Sequence, residues 1–362
     1  MGSTGLKGRE KLNSGGFFRT PDIQMGFKFG VGITMTRQAH GSVGTTYGHG
    51  VHCSGSMYPL SLPVLRATLC LALTFILTGA SATGASAQVT LLVPSQPSIE
   101  TVPAPAAKQP PAHAAKNKAA PQNGADASPA SAAEVDVLIT MMRPFQHQGL
   151  PMDMPQLFAV LRYDDNTPGK DGILYPERRD LLGDVEEIRY LEQRAWGANV
   201  ALNSPGLHHF ILEARPWWDA ARQRFVQHYV KVTLPVHGQE RGWNVPAGQR
   251  LEILPLTRPF GLTAPAVFTG QAVRNGMPMA GAPVRMFRIN TDKRSVPTPW
   301  HEELAARADS NGQFAFVLNL PGWWCCQATM EDVPLKGPDG QPKPLELSAL
   351  FWLYVDPARE KP

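Results

Sequence analysis

Between Val135 and Val355 the chain is cut into short apolar runs separated by turn residues, and this spacing limits what it can fold into. Asn203-Ser204-Pro205-Gly206 divides Gly197–Leu202 from the run that starts at His208. Asn275-Gly276 follows Val267–Arg274, and both central positions of a tight hairpin turn need positive φ, which Asn and Gly tolerate. Asp309-Ser310-Asn311-Gly312 leads into Gln313–Leu318, where large residues alternate. Helical periods are scarce; only Leu181–Gln193 fits a short helix and a strand equally well. Short strands at this spacing predict an all-β chain built as two antiparallel β-sandwich domains, immunoglobulin- or transthyretin-like. Pro246-Ala247-Gly248 divides them into 134–246 and 247–357.

The first third reads differently. Arg66 precedes the apolar run Ala67–Leu77, and small residues follow as far as Ala85-Ser86-Ala87. This is the three-part pattern of a secretory signal peptide over 57–87, with cleavage expected after Ala87. The run is well short of the roughly 20 apolar residues a membrane-spanning helix needs, so an integral membrane protein is not expected after cleavage. Residues 1–56 are rich in Gly, Ser and Thr, and translation from Met57 would leave them untranslated or disordered. Residues 88–133 are dominated by Pro, Ala, Ser and Lys, a composition that predicts a disordered linker. The expected location is periplasmic or secreted.

Charge narrows the partners. Residues 1–87 hold seven Lys/Arg and two Asp/Glu, against a net charge of +4 for the whole chain, which leaves −1 for the remainder. The basic balance belongs to the leader, so nucleic-acid binding is not expected. Of the four cysteines only Cys325 and Cys326 follow the leader. Strand neighbours point to opposite faces, which disfavours a disulfide between them and predicts one packed in a core and one facing outward.

Several phrases, taken in order, resemble the DUF4198 family. They are Pro144-Phe145-x-His147 with Met152, Glu213-Ala214-Arg215-Pro216-Trp217-Trp218, and His228-Tyr229-x-Lys231-Val232. Pro255-Leu256-Thr257-Arg258-Pro259-Phe260-Gly261-Leu262 and Pro321-Gly322-Trp323-Trp324 continue the series. Gly281-Ala282-Pro283-Val284 with Asp309-x-x-Gly312-x-Phe314 is also similar to carboxypeptidase-regulatory-like or transthyretin-like modules, which would make up the second domain. The resemblance implies a periplasmic component of nickel or cobalt uptake, partnered by a membrane metal-transport system. Relatives commonly carry His where this chain has Arg143, and an arginine cannot ligate a metal.

The residues themselves supply one cluster. His147 lies among Met141, Met142, Met152 and Met154. Thioethers are soft donors that suit Cu(I), whereas imidazole also serves nickel, cobalt and zinc. Met152 and Met154 in an extended segment would share a face. His228, His208 and His209 lie in strands, where one member of the adjacent pair could share a sheet face with His228. Methionine equally fills irregular gaps in a core, and a lone strand histidine is commonly a hydrogen-bonded sheet residue. The candidate metal ligands are therefore His147, Met152, Met154, Met142, His228 and His208, for Ni, Co or Cu, with no organic cofactor. No Gly-x-Ser-x-Gly, His-Glu-x-x-His or P-loop pattern is present, so no enzyme is expected. The alternatives are a metal-free envelope interaction module that uses its tryptophans, a copper protein built on the Met/His cluster, and, more remotely, an exported hydrolase.

Overall fold

The structure is a computed structural model that describes residues 27–29, 33–35, 87–100, 133–202 and 204–358. The signal peptide and the leader before it lie outside the described residues, apart from two short paired strands, Phe27–Phe29 and Ile33–Met35, and Ala87. The fold is all-β. Among the described residues, fourteen strands have five residues or more. In chain order they are β1 (Val89–Pro94), β2 (Ala133–Arg143), β3 (Leu157–Tyr163), β4 (Glu186–Tyr190) and β5 (Gln193–Leu202). Next come β6 (Gly206–Glu213), β7 (Arg224–Val236), β8 (Leu251–Pro255), β9 (Ala266–Arg274) and β10 (Pro283–Arg288). The last four are β11 (Glu303–Arg307), β12 (Gln313–Leu318), β13 (Gly322–Lys336) and β14 (Pro342–Asp356). Leu181–Gln193, open between helix and strand in the sequence, is a short 3-10 turn followed by the hairpin β4–β5.

One sheet runs through the whole fold, in the order β11-β10-β13-β14-β7-β6-β3 with Glu177–Asp180 at its far edge. Its two halves are joined by a parallel pairing of β7 with β14, from Phe225↔Leu345 to Val232↔Trp352. Two smaller sheets cover it. β4-β5-β2-β1 packs over one half, and β8-β9-β12 over the other. The first core gathers Leu91, Leu138, Phe158, Phe210 and Val232, but also Phe287, Cys325 and Trp352 from the second half of the chain. The second core holds Phe268, Phe314, Trp324, Cys326 and Phe351. As strand neighbours Cys325 and Cys326 point to opposite faces, and because both sides of this sheet are covered both are buried free thiols. The expectation that one would face outward is corrected: it assumed a sheet with one wet face.

The linker expected over 88–133 is also corrected at its start. Val89-Thr90-Leu91-Leu92-Val93-Pro94 is fully buried and pairs antiparallel with β2, from Val89↔Met142 to Pro94↔Val137. Its β-branched and leucine side chains favour a strand covered on both faces. Ser95 and Ile99 are also held, Ser95 N–H donating to the Asp136 carbonyl and Ile99 bridging to Val236. Residues 101–132 therefore connect two neighbouring strands and lie outside the described residues. Turn chemistry elsewhere follows the sequence. Asn275 and Gly276 take φ of 48° and 77°. Gly312 has φ 74°, and a Cβ there would meet the Ala272 carbonyl oxygen at 2.6 Å, so only glycine fits.

A buried ion pair ties the two halves together behind β7. Lys231 Nζ donates to Glu252 Oε2 at 2.9 Å, and the two side chains are 2% and 1% exposed. The same carboxylate accepts the backbone N–H of Ala247 at 2.9 Å and of Gln249 at 2.7 Å. Gln249 Nε2 donates in turn to the Leu212 carbonyl. Lys231, part of one of the family-like phrases, thus holds the inter-sandwich connection rather than a ligand.

Candidate functional site

The structure disperses the sequence-predicted ligands. Met142 is completely buried in the first core. His147 takes φ 48° at the tip of the turn after β2, and this turn rests on Asn290, whose N–H donates to the Pro144 carbonyl and whose amide donates to the Phe145 carbonyl. Burial and the nearby Lys293 ammonium lower the His147 pKa. His208 and His228 share the face over the first core, but Leu234 is the residue of β7 opposite His208. His228 lies six residues further along β7, about 20 Å away at strand rise. Met154 is exposed while Met152 is 2% exposed, so the two sulfurs do not form the expected clamp.

His228 is set against ligation by its tautomer. The backbone N–H of Thr90 donates to its Nδ1 at 3.2 Å, with Thr90 Oγ1 at 2.9 Å from the same nitrogen. Nδ1 must then accept, which places the proton on Nε2 and removes the lone pair a metal would need. Burial drives the His228 pKa down to about 3, so the ring is neutral. His208 donates Nδ1–H to the Gly206 carbonyl at 3.1 Å, and burial lowers it to about 4. His209 points to the other face, held between Thr233 Oγ1 and the Gly242 carbonyl. Among the described residues, no three His, Cys, Asp or Glu side chains gather where they could hold a metal ion. The imidazole and carboxylate donors of the described residues therefore do not converge on one site.

The sulfur donors are arranged differently. Met141 and Met152 line one pocket of about 310 Å³, together with Leu150, Ala214 and Trp217. The segment carrying Met152 is pinned to β5. Its N–H donates to the Arg194 carbonyl, and its carbonyl accepts Arg194 Nε at 3.1 Å and Trp196 Nε1 at 3.2 Å. Arg194 is in turn paired with Asp153 at the rim, beside Arg215 and Gln88. Trp217 meets the His228 ring edge-to-face at 4.6 Å between centroids. Both Trp217 Nε1 and His228 Nε2 are buried donors with no partner among the described residues. Met141, already in the sequence cluster, and Trp217, from the phrase Glu213–Trp218, complete the site; the sequence does not reveal that Trp217 comes beside Met152.

A second cleft, of about 380 Å³, opens where β7 and β14 separate. Thr233 and Pro235 lie on one wall, Tyr354 and Asp356 on the other, and Phe260 and Trp323 close it.

The family described as a domain of unknown function (DUF4198) matches residues 121–332, more than half of the sequence. The chain belongs to the DUF4198 family. The match takes in Met141, Trp217, Phe260 and Trp323, whereas Gln88, Glu100, Tyr354 and Asp356, which also line the two clefts, lie outside it. No curated protein matches this DUF4198 chain. Among solved structures, it is similar to BcpA, the major pilin subunit of Bacillus cereus, at 11% identity and a TM-score of 0.13. A point variant of that pilin matches equally, each covering 62% of this chain. The chain spans 65% of the length of the pilin, and a likeness this low carries no argument about fold or function. No helix among the described residues is long and apolar enough to cross a membrane.

Proposed function

We propose that this DUF4198 protein is an exported, non-catalytic carrier of a soft transition-metal ion, Cu(I), received in the Met141–Met152–Trp217 pocket. The observation that carries this reading is the convergence of Met141 and Met152 on one pocket with an aromatic ring. Thioethers prefer Cu(I) over the harder Ni(II) and Co(II). A tryptophan face adds cation–π attraction to a monovalent cation. Leu150, Pro151 and Ala214 add apolar lining beside the two thioethers, which suits a soft, weakly hydrated ion better than a divalent ion that holds its hydration shell. His228 contributes by orienting Trp217 through the edge-to-face contact; it does not supply a ligand.

The test is an anaerobic titration of the full chain with Cu(I) in competition with a chromogenic chelator, and parallel titrations with Ni(II) and Co(II). Stoichiometric Cu(I) uptake, abolished in Met141→Leu/Met152→Leu and retained in His147→Ala, supports the proposal. Uptake that survives the double methionine replacement, or tight Ni(II) binding without Cu(I) binding, overturns it. The leucine replacements conserve volume, so loss of fold is not expected.

A further inference from the structure

The cleft between β7 and β14 has the chemistry of a saccharide site. The parallel pairing of these strands ends at Val232↔Trp352, and beyond it the strands part, so the cleft sits in the fork where the two sandwiches separate. Trp323 and Tyr354 are directly paired across β13 and β14 and meet edge-to-face, centroids 5.4 Å apart. Both rings are half-buried, as is Phe260 on the loop after β8. Such rings offer flat apolar faces to the C–H surface of a sugar ring, and their position beside a polar wall suits an amphipathic ligand.

The polar groups around them are mostly acceptors. The carboxylates of Glu100 and Asp356 line the cleft with Gln239, Thr233 and Ser98. Arg258 is engaged twice: it pairs with Glu240 at 3.0 Å and lies over the Phe260 ring at 5.4 Å. Its charge is answered inside the cleft, and the remaining carboxylates disfavour an anion. Carboxylates, amides and hydroxyls set around aromatic faces match a neutral ligand dense in hydroxyl donors. The volume of about 380 Å³ is within the range of small-ligand sites. Residues from three distant stretches of the chain, 97–100, the phrase 255–262 and the phrase 321–324, line it together.

We infer that this fork is a binding site for a neutral pyranose unit of a glycan chain, stacked on Trp323 and Tyr354 with its hydroxyls donated to Asp356 and Glu100. It is independent of the methionine pocket. The full chain is titrated calorimetrically with cellotetraose, maltotetraose and a chitin tetramer, and with a proline-rich decapeptide as the competing ligand class for an aromatic groove. Saturable binding of at least one tetrasaccharide supports the inference when it weakens about tenfold in Trp323→Ala, the loss expected for one aromatic contact. Trp323 also packs against the first core, so exposed Asp356→Asn is the second variant, and it weakens the same saccharide without moving the unfolding midpoint. Binding of none of the tetrasaccharides overturns the inference. So does saccharide binding unchanged in both variants, or binding of the peptide alone.

Discussion

Lys231 has exchanged water for one carboxylate and the face of Phe351, 5.7 Å from its nitrogen. A buried ammonium whose partner is removed is strongly penalised. Glu252→Gln leaves the Lys231 charge unanswered and is expected to cost about 3–5 kcal/mol, read as a lowered urea midpoint. Lys231→Met added to Glu252→Gln recovers part of that loss, because the unanswered ammonium is gone, although the single glutamine oxygen accepts only one of the two N–H groups that Glu252 takes on its two oxygens. If the double variant is no more stable than the single one, the pair does not behave as a buried charge couple. The histidines make a pH prediction. Burial holds His209 and His228 at about 3 and His208 at about 4, whereas an unfolded histidine titrates near 6.5. Between these values the unfolded chain binds more protons. Stability is therefore complete above about pH 6.5 and falls as the pH drops toward 4, by up to about 1.4 kcal/mol per unit for each ring. Urea midpoints at pH 7 and pH 5 check this, and a pH-independent midpoint would contradict it.

At the scale of elements, β1 decides whether the first sandwich can close. A chain beginning at 134, the boundary that the sequence suggests, lacks Leu91, Leu92 and Val93 and leaves β2 as a raw edge. Such a chain is expected to aggregate or stay unfolded, while one beginning at 88 folds; circular dichroism melting curves separate the two. Within the intact protein, Leu92→Ala should cost about 2–5 kcal/mol, measured by urea unfolding. The strand was hard to read because its six residues, four of them Val or Leu, lie between a signal-like run and a Pro/Ala stretch, and composition averaged over that region hides them. Most other strands were legible, since turn pairs such as Asn275-Gly276 and Asp309–Gly312 punctuate them locally. The candidate site was legible only in part. Met152 stands out in the sequence, but Met141 is one of two adjacent methionines that both pack in the first core, and only the fold shows that Met141 also lines the pocket. Likewise, no local pattern tells that Thr90, 138 positions away, fixes the tautomer of His228.

For the whole molecule, the continuous sheet makes the two sandwiches one thermodynamic body. Trp352, from the last strand, sits in the first core and donates its Nε1–H to the Thr90 carbonyl at 2.9 Å. The two thiols report on this. Cys325 belongs to one core and Cys326 to the other, and burial raises both thiol pKa values. Both are expected to become reactive toward a disulfide reagent at the same urea concentration. Two separated labelling transitions would show instead that the halves unfold independently.

The placement of β1 also bears on how this polypeptide tolerates being cut. Residues 101–132 leave one strand of the small sheet and return in its neighbour, so the chain on either side is anchored by sheet pairing and apolar burial. Cleavage in that stretch would divide the backbone without dividing the fold. The short N-terminal fragment would stay seated as a non-covalent subunit, and a synthetic peptide of the same sequence should reconstitute a body made without it. A protein nicked there would still keep both clefts intact.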